Sequence, residues 1–274
     1  MSTDPTWDFR NPASKPRVLE VLGREFDDVF TLLSDEALWH RPTACAGWEV
    51  RDMAGHLLDA TSGYLAGIDL ARRDVAGPTP VGVIGMAHAS DEAARAFRSV
   101  ERDDVLHRLH DNTAQLMHEF EVLADSEWSE LLIPDPYMGP LPAMIVAAGM
   151  LGGTVVHGWD VREGIGLRHT VPGDAADLLV PFAFLLWTAT ADTSAVPQPY
   201  SIGIRTTGRN GGDTRFTIAS QGVSFTAATI DDCDAVLELD PGTLVLTAYG
   251  RVNAGTIRGD PRRADNFRSL FTAI

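Results

Sequence analysis

The stretch Ala143 to Gly164 is apolar or small almost all round and holds its charged residues, Asp160, Arg162 and Glu163, back to its end. A helix with no polar face has to be surrounded on every side. The stretch also falls short of the roughly 18 to 20 uninterrupted apolar residues that span a bilayer. It is therefore expected as the central helix of a helical domain, and the rest of the chain is read for segments that wrap it.

Val18, Val21, Leu22, Phe26, Val29, Phe30 and Leu33 recur at three- and four-residue steps, the mark of an amphipathic helix. A second helix is expected from near Glu49 to about Arg73, with Val50, Met53, Leu57, Tyr64 and Leu65 on one stripe, Gly47 before its start and His56 on its apolar side. Pro78 and Pro80 make 76–85 a loop, and a long helix follows from about Ser90 to Leu123, broken near Val100 to Asp104. Pro134, Pro136, Gly139, Pro140 and Pro142 mark another loop, and a fifth helix covers about Ala175 to Thr190. After Ser194 the step changes to alternation: Tyr200, Ile202 and Ile204, then Phe216 and Ile218, read as strands. Asn210-Gly211-Gly212 reads as a hairpin turn, Ala235 to Leu239 as a further strand, and Thr243 to Tyr249 and Arg263 to Ala273 as short helices. The fold class expected is α+β in two domains: an up-down four-helix bundle with an extra helix over 1–194, and a small α/β domain over 195–274.

With 274 residues, 45% of them apolar and 22% charged, the chain has enough apolar material for a sizeable core. Its net charge of −16 repels phosphate backbones and anionic headgroups, so no nucleic acid and no membrane is expected as a partner. Met1 to Arg10 lacks the basic-then-apolar order of a signal peptide. A cytoplasmic monomer or homodimer acting on a small-molecule substrate is the expectation. Cys45 and Cys233 are too few for a disulfide framework and read as lone thiols in packing.

Two local patterns stand out. Thr43 to Leu57 is a tryptophan-led helix entry with His56 two turns in, and His157-Gly158-Trp159-Asp160 lies near the end of the most apolar helix. Asp160 follows His157 by three residues, so both share a helix face and the carboxylate can hold the imidazole. Two helices each offering an inward histidine can build a site in a bundle core. Taken singly, each histidine also reads as a satisfied core residue, and Asp160 as a capping or salt-bridging carboxylate. His107, His110 and His118 read as structural or surface positions.

The patterns T-x-C-x-G-W-x-V-x-D-x-x-x-H-L (from Thr43) and V-H-G-W-D-V-x-x-x-x-G (from Val156) together resemble the mycothiol-dependent maleylpyruvate isomerase family, a branch of the DinB-like four-helix-bundle metalloproteins. The bundle resembles the family's metal-binding domain and the tail its small, sterol-carrier-like domain, where Tyr249-Gly250-Arg251 matches a Gly-Arg element. The resemblance implies a divalent metal, usually zinc, held by a histidine of the second helix and by a pair spaced four apart on the later helix. His56 matches the first ligand and His157 the last. The middle position falls on Gly153, which has no side chain. The resemblance further implies mycothiol as cosubstrate and Arg251 as the residue that meets a substrate carboxylate, with Arg258 a rival.

Catalytic zinc normally keeps three protein ligands. Either Asp160, Thr154 or a residue from elsewhere completes the shell, or the metal is lost and His56 or His157 works as general acid or base. Three functions stay open: metal-assisted thiol addition and isomerisation or thiol transfer on a small carbonyl or carboxylate substrate, a metal-free biosynthetic isomerase or cyclase for a larger apolar substrate, and a non-catalytic small-molecule binding protein.

Overall fold

The computed structural model describes residues 4–271, the side chains at 83, 84 and 87 excepted. Its contacts divide the chain into two compact units, one spanning Phe9 to Val171, the other running from Pro172 onward and taking in the residues up to Asp8.

The first unit is helical. α1 (Lys15–Ser34) packs along α6 (Ala143–Gly164), and α2 (Val50–Arg72) along α4 (Arg102–Val122), which also meets α1. These four make the expected bundle. Val18, Val21, Leu22, Phe26, Val29 and Leu33 are all buried, as their spacing requires. α6 is the one described helix long and apolar enough to cross a membrane by length and composition, and most of it is buried inside the bundle. Its small residues let neighbours close in: a Cβ at Gly158 would stand 2.8 Å from Val29 Cγ2 of α1.

Several elements differ from expectation. α3 (Val83–Ala96) starts inside the stretch read as a loop, and the break before α4 falls at a 3-10 turn, Phe97–Ser99. α5 (Asp125–Glu130) is an added helical turn that buries Trp128. The proline-rich segment forms a hairpin of β1 (Leu132–Asp135) and β2 (Gly139–Pro142), pairing Ile133 with Leu141. Prolines sit in this two-stranded ribbon because it has outer edges where a missing N–H breaks no ladder bond. α2 approaches it closely, since a Cβ at Gly67 would lie 2.8 Å from Pro134 O.

In the second unit, β3 (Tyr200–Thr206), β4 (Gly212–Ala219), β5 (Gly222–Ala227), β6 (Ala235–Leu239) and β7 (Thr256–Gly259) form one sheet in the order β5-β4-β3-β6-β7, parallel only between β3 and β6. Alternation puts Tyr200, Ile202, Ile204, Phe216, Ile218, Ala235 and Leu237 in the core, as read from the sequence. β5 and β7 were not foreseen; their burial is weak, so alternation marks them poorly. α8 (Pro241–Ala248) and α9 (Pro261–Arg268) are the two short helices, and the last expected residues of the second, 272 and 273, lie outside the described residues.

α7 (Gly173–Thr190), expected to complete the bundle domain, belongs to the sheet unit. The reason is aromatic packing. Phe184 and Trp187 of α7 set their rings 5.2 and 5.7 Å from that of Phe216 on β4, and Phe267 of α9 lies 5.3 Å from Trp187. The compact units thus part at 171/172 where the sequence reading put a boundary at 194/195. Phe216 is the hub of this cluster and fully buried. Phe216→Ala is expected to destabilise the sheet unit by about 3–5 kcal/mol, measured as a lowered urea midpoint.

Candidate functional site

The site begins with the loop that leads into α2. Gly47 adopts a left-handed φ of 77° there, and Thr43 N–H donates to Trp48 O at 2.9 Å, closing a tight turn. The turn is fastened to α6, because Ala44 N–H donates to Asp160 O at 2.8 Å and a Cβ at Gly164 would come within 2.4 Å of Pro42 O and Thr43 Cα. Trp48 Nε1 donates to Asp91 Oδ1 at 2.7 Å, and Arg95 shares that carboxylate, tying α3 to the turn.

Asp52 accepts from Glu49 N–H at 2.8 Å at the start of α2, and its buried carboxylate is forked by Arg98 at 2.7 and 2.6 Å. Burial by itself raises this carboxyl's pKa, but the Arg98 guanidinium and the Glu49 N–H more than offset that and hold it below the usual range. Much of the tryptophan-led pattern is therefore scaffold: it fixes where α2 starts and how α2 is rotated against α6.

That registration brings His56 of α2 and His157 of α6 together, edge to face with ring centroids 4.7 Å apart. Trp48 flanks His56 at 5.3 Å. His157, 12% exposed, places Nδ1 3.0 Å from Oδ2 of Asp160, which is fully buried. An ionised carboxylate only accepts, so in this pair Nδ1 is the donor. Cys45, read as a packing thiol, donates from Sγ to the same Oδ2 at 3.2 Å and so belongs to the cluster.

The sequence reading also passed over Asp59, one turn beyond His56. It is half-buried, has no hydrogen-bond or ion-pair partner among the described residues, and burial pushes its carboxyl pKa up. Only its spacing from His56 could have marked it.

The other named candidates lie elsewhere. His107 and His110 pair with Asp111 on an open helix face, and His118 is exposed. Thr154 is buried, and its Oγ1 meets no hydrogen-bond partner among the described residues. Arg251 belongs to the other unit, where Tyr249-Gly250-Arg251 ends α8. Gly250 takes φ 72°, its N–H donates to Thr247 O at 3.1 Å, and Arg251 N–H reaches back to Leu246 O at 2.8 Å. This is a Schellman helix terminus, which gives the Gly-Arg element a local structural role. The rival Arg258 is exposed and paired with Glu238 at 2.9 Å.

A metal has two sets of residues to consider. Cys45, His157 and Asp160 bring ligand-type atoms within 4.8 Å of one another, joined by hydrogen bonds whose thiol and imidazole protons a divalent ion would displace. Gly153, one turn before His157, supplies no donor of its own, and a Cβ there would meet no described atom within 4 Å. Two imidazoles do not fit a catalytic ion that needs three protein ligands.

Residues 19–162 match the family model for the mycothiol maleylpyruvate isomerase N-terminal domain. Among solved structures, the crystal structure of the mycothiol-dependent maleylpyruvate isomerase aligns with a TM-score of 0.61 and 15% identity over 89% of this chain and 92% of that one. A histidine-to-alanine mutant of that isomerase aligns with a TM-score of 0.61 and 14% identity over the same shares. A colibactin self-resistance protein in complex with double-stranded DNA aligns at 0.48 with 12% identity, over 57% of this chain and 97% of that one, too distant a likeness to bear on partners. No curated protein sequence matches the chain.

Two outcomes test the electrostatics. Arg98→Ala is expected to cost about 3 kcal/mol at neutral pH, the low end for a broken buried pair because the guanidinium is 32% exposed. Asp52 has a lowered folded pKa, so its stabilisation is present above the unfolded value and is lost as pH falls through the folded one. The gap between wild type and mutant urea midpoints should therefore close in acid. Asp59 has the opposite sign: its raised pKa makes the ionised form a liability that is fully present above the folded value. Asp59→Asn should raise the Tm at neutral pH and lose that advantage below the unfolded carboxylate range.

Proposed function

Because the chain belongs to the mycothiol maleylpyruvate isomerase family, we propose that it is an enzyme that uses a small thiol, mycothiol by resemblance, to isomerise or thiolate a small substrate bearing a carbonyl or carboxylate. The observation that supports this reading is the His56–His157 pair on two core helices, with His157 held through Nδ1 by buried Asp160. The steps are assigned to the side chains themselves.

Asp160 fixes the ring and tautomer of His157, whose Nε2 takes the thiol proton as general base. The thiolate forms an S–C bond at an electron-poor alkene carbon, and the displaced electron pair moves onto the conjugated carbonyl oxygen. His56 donates to that developing oxyanion. The former double bond, now single, rotates. Reversal of the same movement breaks the S–C bond, restores the double bond in its new geometry and returns the proton to the thiol. Where the adduct is kept instead, the outcome is thiol transfer. Arg251 is proposed as the group that meets a substrate carboxylate, on the chemistry of a guanidinium fork. A second reading, a thiol-independent catalyst for a larger apolar substrate, is favoured by the open space beside Gly153.

The test is turnover of maleylpyruvate by the purified protein with and without mycothiol. His157→Ala is expected to lower kcat/KM by about 10²–10⁴-fold, and Arg251→Lys to raise KM more than it lowers kcat. Turnover of a larger substrate without thiol, still dependent on His157, would select the second reading. Activity untouched by His56→Ala and His157→Ala would sink both, and ligand binding without turnover would leave a binding protein.

A further inference from the structure

A carboxylate taken out of water is tolerated where donors replace the water it loses. The buried acids of the helical unit follow that rule. Asp52 is forked by Arg98, Asp160 accepts from His157 and Cys45, Glu25 accepts from Arg24, and Asp135 accepts from the N–H groups of Tyr137 and Met138. Asp59 does not. It is half-buried on α2, has no hydrogen-bond or ion-pair partner among the described residues, and loses enough water for its carboxyl pKa to be pushed up. It follows His56 by three residues, a neighbouring position on the helix surface, and the His56 ring meets that of His157 at a centroid distance of 4.7 Å. Both helices leave room at this level. A Cβ at Gly63, one turn past Asp59, and one at Gly153, one turn before His157, would each meet no described atom within 4 Å.

We infer that Asp59 is a ligand-recognition residue: its carboxylate accepts a hydrogen bond from a hydroxyl or amine of the molecule bound beside the two imidazoles, and it disfavours a ligand that turns a carboxylate toward it. An ionised carboxyl only accepts, so its complement is a donor. A hydrogen bond to a charged group is stronger than a neutral one, and two facing carboxylates repel. One such contact therefore sorts ligands of equal size by their polar group. For the chemistry proposed above, this narrows the substrate class: a carboxylate, where present, lies at the end away from Asp59, and the end beside it carries a hydroxyl or an amine. Leaving the carboxyl without a protein partner lowers the stability of the free protein, and the donor of the bound ligand offsets that loss. The inference rests on the imidazole pair marking the substrate site, but its test reads binding preference and not turnover, so either can fail without the other.

The experiment is ligand-observed NMR titration of benzylamine, benzyl alcohol and phenylacetate, close in size and unlike in polar group, with tag-free wild type, Asp59→Asn and Asp59→Ala. Urea midpoints are measured alongside. At net charge −16 the chain attracts any cation and repels any anion, so the deciding quantity is the preference for the alcohol over phenylacetate in wild type relative to each variant. Expected is binding of the amine and the alcohol to wild type, and a fall in that preference of about tenfold or more in Asp59→Ala, the worth of one hydrogen bond to a charged group. Asp59→Asn, whose amide also donates, should shift the preference toward phenylacetate as well. Both variants are expected to keep or exceed the wild-type urea midpoint. A preference that both variants retain overturns the inference, as does a wild type that holds none of the three probes. So does a loss of preference that comes with a lowered midpoint in both variants, which would make Asp59 a structural residue.

Discussion

One buried carboxylate organises the helical unit. Asp160 has no exposure, and a carboxylate in that position is tolerated only when its oxygens are engaged. Its Oδ2 receives His157 Nδ1 and Cys45 Sγ, while its backbone oxygen receives Ala44 N–H. The bonds from Cys45 and Ala44 tie the end of α6 to the turn that starts α2, and the one from His157 fixes that ring within α6. The contact at Gly164 keeps the two backbones close enough for them to form. From this lock follows the level at which His56 stands opposite His157.

Around the lock, charge pairs fix the third wall. Arg98 grips Asp52, and Asp91 bridges Trp48 and Arg95, so the region around α3 is held to the start of α2 and Trp48 stays beside His56. Two residues next to the histidine pair break local rules that the rest of the bundle obeys. Asp59 carries a half-buried carboxyl with no described partner, and Gly153 opens a helix interior where packing asks for no glycine. Such inconsistencies collect where function competes with stability, and here both flank the same pair of imidazoles.

The sheet unit obeys a different constraint. Its strands bury one set of alternating residues, and that apolar face needs a cover. α7 and α9 supply it through Phe184, Trp187 and Phe267 around Phe216. Tyr249-Gly250-Arg251 closes a helix by a Schellman turn, so the glycine is explained by φ, and the Arg251 guanidinium donates to Tyr249 O at 2.9 Å.

By itself the sequence determined the four bundle helices, the change to alternation after Ser194, the pairing of His157 with Asp160 and the lack of a donor at Gly153. Each of these is a matter of period or of spacing within one helix, and both are written locally. Tertiary structure alone decided the rest. Cys45 reaches Asp160 across 115 residues, which no spacing rule encodes. α7 goes to the sheet because aromatic rings on distant strands complete its apolar face, while its own periodicity is equally compatible with a bundle. The prolines of β1 and β2 read as breakers until the hairpin gives them edges. That a Cβ at Gly153 would meet no described atom within 4 Å likewise emerged only once the neighbouring helices were in place, because open space is a property of packing and has no residue of its own.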